Sequence, residues 1–116
     1  MPLGIALGTN AVVTTMGGAG VSSAAIAIPN NSNGRKPEAV YLAADGDCQF
    51  LPAMDIDDPP TGTNIETIGG ATAVAVGTGA FLDADQPLII RTRGFSHFYF
   101  LGIAGSEEVY MSAVEG

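Results

Sequence analysis

Residues 87–116 read PLIIRTRGFSHFYFLGIAGSEEVYMSAVEG, and their reading decides the fold. Three runs of strand length, 87–92, 96–104 and 107–113, are separated by Arg93-Gly94 and Gly105-Ser106. Each run is rich in β-branched and aromatic residues, which suit a pleated, half-buried surface. The runs are expected to form a closing meander of consecutive strands, with nearly every large apolar side chain of the C-terminal half on it.

Working back toward the N-terminus, the same pattern repeats at intervals near ten residues, the signature of a sandwich or barrel. The acidic run Asp83-Ala84-Asp85-Gln86 is a turn, residues 72–76 a short strand, and residues 64–68 another. The segment 52–70 carries Asp55, Asp57, Asp58, Pro59 and Pro60 and reads as a solvated acidic loop. Upstream of it, 47–51 is expected to pair back on 38–44 through Asp45-Gly46, a strong two-residue hairpin signal. Residues 30–37 cluster Asn, Gly and Pro as a turn, and 21–28 alternate as a strand that stops at Pro29. No run has helical spacing uninterrupted by Gly or Pro. The expectation is an all-β, single-domain antiparallel β-sandwich, jelly-roll-like or barrel, of about seven or eight strands over residues 21–116.

Residues 1–20 hold Leu3, Ile5, Leu7, Val12 and Val13 among glycines and no charge. They read as an extended arm that lies on a neighbouring subunit or partner, or adds an edge strand, because free apolar groups would otherwise face water. A strand packed within its own domain is the plain alternative. Glycines and hydroxyl residues interrupt any membrane-spanning run, and no basic n-region precedes the apolar stretch, so neither a membrane span nor a signal peptide is expected.

The chain of 116 residues suffices for one core without disulfide or metal. Its net charge of −8 disfavours nucleic acid and anionic membrane as partners. The only cations are two tight pairs, Arg35 with Lys36 and Arg91 with Arg93, which are candidate contacts to an acidic neighbour. Solvated turn charges are the simpler account of them.

Little in the sequence supports catalysis or a cofactor. His97 is the only histidine, and strand alternation would point Ser96 and His97 to opposite faces, preventing a nucleophile and base pair. Cys48, the sole cysteine, lies on a strand with no nearby cation and reads as a small buried residue. The acidic loop lacks the ligand spacing of a calcium loop, one His and one Cys make no zinc set, and the glycines match no phosphate-binding motif. No catalytic, metal or cofactor site is expected.

The order of elements resembles that of small virion proteins of tailed bacteriophages, of the kind that decorate or cement capsids. The resemblance is carried by Ile26-Ala27-Ile28-Pro29 with the polar turn Asn30 to Gly34, by Val40-Tyr41-Leu42-Ala43-Ala44 with Asp45-Gly46, and by Cys48-Gln49-Phe50. Pro87-Leu88-Ile89-Ile90, then Gly94-Phe95-Ser96-His97, and the two strands that follow complete it. It covers about residues 20–116, although the loop at 52–70 is longer than the pattern. The resemblance implies a non-enzymatic sandwich at the virion surface that binds the major coat protein, often as a homotrimer at a symmetry axis, with an arm over the coat subunits. A head-tail junction or fibre-attachment accessory protein is the nearest alternative, and a carbohydrate- or calcium-binding module the next.

Overall fold

The computed structural model describes the backbone of residues 6–115 and the side chains of 11–115. Nine strands form in chain order: β1 (Ala6–Thr15), β2 (Ile26–Ala27), β3 (Ala39–Ala44), β4 (Cys48–Asp55), β5 (Ile65–Thr67), β6 (Ala80–Leu82), β7 (Leu88–Arg91), β8 (His97–Gly102) and β9 (Glu108–Glu115). The first sheet has the order β1-β9-β3-β7, the second β2-β8-β4-β5 with β6 also paired to β4. All pairings are antiparallel. The chain is therefore an all-β sandwich, with no helix among the described residues.

Alternation along the strands sends one set of side chains between the sheets. Val40, Leu42, Val109 and Met111 of the first sheet meet Cys48, Phe50, Phe98 and Phe100 of the second, with Met16 and Leu82 closing the layer. Phe98 lies 5.9 Å from both Phe50 and Phe100, ring centre to ring centre. Strand β8 is buried on both faces, since Tyr99 and Leu101 on its other side pack with Ala53 and Val74 in a second apolar cluster.

Residues 71–79 make that second cluster possible by lying over the outer face of the second sheet. The buried Gln49 fastens them: its Nε2 donates to the carbonyl of Thr78 at 2.6 Å and its Oε1 accepts from the Gly77 amide at 3.2 Å. The Val74 amide donates to Ser22 Oγ at 3.1 Å. At Gly79, φ is +77° and a Cβ would sit 2.5 Å from the Phe50 carbonyl oxygen, so only glycine fits there.

Several expectations need correction. The closing strands β7, β8 and β9 all form, but they alternate between the two sheets and so are no meander. Asp45-Gly46 does not close a hairpin, because β3 belongs to the first sheet and β4 to the second; the turn carries the chain across the sandwich. Of residues 21–28 only Ile26–Ala27 is a strand, with a single bridge from Ser22 to Leu101. Residues 72–76 form no strand and serve as the covering segment. The presumed loop at 52–70 begins as β4, which runs through Pro52 to Asp55. Pro52 falls between the stretches of β4 paired to β6 and to β5, a gap in the ladder that suits a residue without a donor.

The segment expected as an arm over 1–20 is, across residues 6–15, the edge strand β1, paired with β9 from Ala6↔Glu115 to Thr15↔Glu108 around an irregularity between Leu7 and Ala11. It is an edge strand of the same sandwich, held by the ladder to β9, with Val12 packed on the core.

Candidate functional site

The two basic pairs, more than fifty residues apart in sequence, meet at one end of the first sheet. Register brings this about: Ala39 lies opposite Arg91, the Thr92 amide donates to the Glu38 carbonyl at 3.0 Å, and Thr92 Oγ1 donates to the Pro37 carbonyl at 2.9 Å. The turn holding Arg35 is closed by its own asparagines, with the Arg35 amide 3.1 Å from Asn31 Oδ1 and from Asn33 Oδ1. Glu115 ties the same turn to β9 by accepting from the Ser32 amide at 2.9 Å. Lys36 lines a cavity of about 240 Å³ with Ile28, Phe95 and Ser96. Arg91 and Arg93 line an adjoining open depression of about 610 Å³, which shares Pro37, Thr92 and Gly94 with it. Arg93 stands in the left-handed region at φ 43°, which turns the chain sharply from β7 toward β8.

The opposite end of the sheet carries carboxylates alone. Asp45 and Glu108 are neighbours there, with the Glu108 amide donating to Asp45 Oδ1 at 2.8 Å, and Asp85 lines the same depression. Asp47 Oδ1 accepts from the Ala84 amide at 2.9 Å, so the turn at 83–86 joins this end. Glu107 is buried beside them; its Oε2 accepts from the Ala104 amide at 2.7 Å while its Oε1 has no partner among the described residues. Glycine makes room for it, since a Cβ on Gly46 would stand 2.8 Å from Glu107 Cγ. Asp45 thus bonds the first amide of β9, and Asp47 an amide of the turn at 83–86. No three His, Cys, Asp or Glu of the described residues are placed to hold a metal ion.

The apolar candidates separate. Leu3 and Ile5 lie outside the described residues, and Leu7 pairs with Val114 in a stretch whose side chains are also outside them. Val12 turns inward, opposite Met111, and packs on the core, so it is not available to a partner as expected. Val13, opposite Tyr110, is 59% exposed on the outer face.

Ser96 and His97 also depart from expectation. Strand alternation does not apply to Ser96, which precedes the first residue of β8 and sits in the bend closed by Phe95 donating to Thr92. Ser96 Oγ therefore reaches His97 Nδ1 at 2.7 Å. Burial lowers the imidazole pKa, partly opposed by Asp55. The Asp55 carboxylate is itself engaged by the amides of Asp57 at 3.0 Å and of Gly62, which hold it below the usual carboxylate range. With Asn64 Nδ2 donating to Asp57 Oδ1 at 3.1 Å, the acidic loop is internally bonded rather than merely solvated. Cys48 is buried, and desolvation first, then Glu107, pushes its thiol up to about 11.

No helix among the described residues is long and apolar enough to cross a membrane. The chain matches no family model, no curated protein and no solved structure. The basic end is thus the one grouping of sequence-level candidates that folding brings together. Its signal in the sequence was the two close pairs; their union required the β3–β7 register.

Proposed function

We propose that this chain is a structural virion protein of a tailed bacteriophage that binds and stabilises the capsid shell. The observation that carries the reading is the gathering of Lys36, Arg91 and Arg93, with Arg35 next to Lys36 in the chain, at one end of a sandwich whose net charge is −8. A protein so polarised is oriented by the field of an acidic surface before contact, and its positive end docks first. Arg35, Lys36 and Arg93 are the anchors, reaching from two turns rather than from a strand face. The open edge of β1 adds unpaired main-chain groups without a charged side chain to deter a coat segment from pairing there. Binding that exists only in the assembled shell stabilises that state by mass action, and repetition over a lattice multiplies modest contacts.

The test is binding to empty shells of the encoding phage by the wild type and by a variant with Arg35→Glu, Lys36→Glu and Arg93→Glu. Loss of at least about tenfold in affinity is expected if these anchors face an acidic coat surface. Undiminished binding by the folded variant removes them from the interface.

A further inference from the structure

Among the described residues, 71–79 lie over the outer face of the second sheet, whereas the outer face of the first keeps Val13, Ile89 and Tyr110 exposed, although Ser112 on it is buried and Asp85 reaches its acidic end. Because Val40, Leu42, Val109 and Met111 point into the core, the alternate residues of those strands point outward. The middle of this outer face is apolar. Tyr41 and Tyr110 meet edge to face, 6.2 Å between ring centres. Val13 lies across from Tyr110 and Ile89 across from Tyr41, and Val13, Ile89 and Tyr110 are 59%, 45% and 38% exposed.

The charges that line the face divide between its ends, Glu108 with Asp45 and Asp85 at one and Arg91 with Arg93 and Glu38 at the other, and their placement names the occupant. Glu108 begins β9 at the acidic end, and Arg91 ends β7 at the basic end, opposite Ala39. The registers Val40↔Ala113 and Ala44↔Val109 put them about six residues apart along the strands, roughly 20 Å. Midway between them is the Tyr41–Tyr110 pair. A two-fold axis lying in the face, perpendicular to the line from Arg91 on β7 to Glu108 on β9 and so inclined by roughly 25° from square across the strands, passes over β3 beside the tyrosines and exchanges the two positions. The face is therefore complementary to itself: tyrosine meets tyrosine at the centre, and Arg91 of each copy meets Glu108 of the other. An axis along the strands would instead set each charged end against its like.

We propose that the outer face of the first sheet is a homodimer interface, occupied by a second copy of this chain in the antiparallel arrangement. This goes beyond the shell-binding reading and does not rest on it: the pairing proposed is of Arg91 with Glu108, whereas the shell contact is assigned to Arg35, Lys36 and Arg93, of which Arg93 lines the same depression as Arg91 at the rim of the face. The face measures roughly 20 by 20 Å, so the pair buries under about 1,200 Å², the size of a weak, reversible interface. Dimers are accordingly expected in the micromolar range rather than the nanomolar.

Sedimentation equilibrium up to roughly 0.5 mM covers the range such an interface requires. The wild type is expected to show a monomer–dimer equilibrium. Arg91→Glu and Glu108→Arg alone each place like charges together twice per dimer and are expected to weaken association at least about tenfold, while the double exchange returns it to within about threefold of wild type. Both positions of this cycle are exposed, and unchanged thermal melts identify the folded variants. A monomer at every concentration, a trimer, indifference to the single reversals, or failure of the double exchange to restore association would each overturn the proposal.

Discussion

At the scale of single residues, the structure turns on a few side chains whose surroundings leave no substitute. Gly79 combines a left-handed backbone with a close approach to the Phe50 carbonyl. Replacing it with alanine is expected to cost roughly 2–4 kcal/mol, read from denaturant unfolding, since backbone strain and steric overlap add. Cys48 yields a pH prediction. Its thiol titrates near 9.0 when unconstrained and about 11 in the fold. Between those values the unfolded chain has lost the proton and the native chain keeps it, so stability is full below pH 9 and falls as pH rises toward about 11. A Cys48→Ala variant should show a flatter alkaline limb in a pH series of chemical melts, and the native thiol should resist alkylation at pH 8 until the protein is unfolded. The sequence already showed Cys48 as a buried, inert residue. It did not show the Ser96–His97 bond, because the expectation assumed strand geometry one residue before the strand begins.

At the scale of elements, most strands were legible because β-branched and aromatic runs between Gly, Asn and Asp turns have few other uses. Which sheet each strand joins was not. Alternation tells which side of a strand is apolar, but a turn such as Asp45-Gly46 serves equally for a hairpin and for a crossing between layers. Strand β8 concealed more, since burial on both faces erases the alternation that would have announced a second cluster. Of the residues that cover its outer face, 72–76 accordingly looked like a strand of their own. Backbone Hα–Hα contacts should run between Leu42 and Met111, which are paired, and be absent between β3 and β4, which meet through side chains alone. Removing the clamp should loosen the covering segment: Gln49→Ala is expected to cost about 1–3 kcal/mol and to raise hydrogen exchange at the Gly77 amide, which donates to its Oε1.

At the scale of the whole molecule, the sequence displayed the total charge and the two basic pairs, while their convergence depended on long-range register between β3 and β7. The result is a slab of 38 × 36 × 19 Å with cations gathered at one end of a sheet and carboxylates alone at the other. On the shell-binding proposal, the positive end is the one that meets the coat. The inward turn of Val12 and the incorporation of residues 6–15 as β1 move the proposed contacts away from an apolar arm and toward the turn cations and the open edge of β1. The shell-binding proposal is tested most directly by mixing the purified chain with empty shells of the phage proposed to encode it and imaging them by electron cryomicroscopy. The account predicts added density at regular lattice positions, with Arg35, Lys36 and Arg93 facing the coat. Bare shells at saturating protein, or density contacting the coat through the Asp45 and Asp85 end, would contradict it.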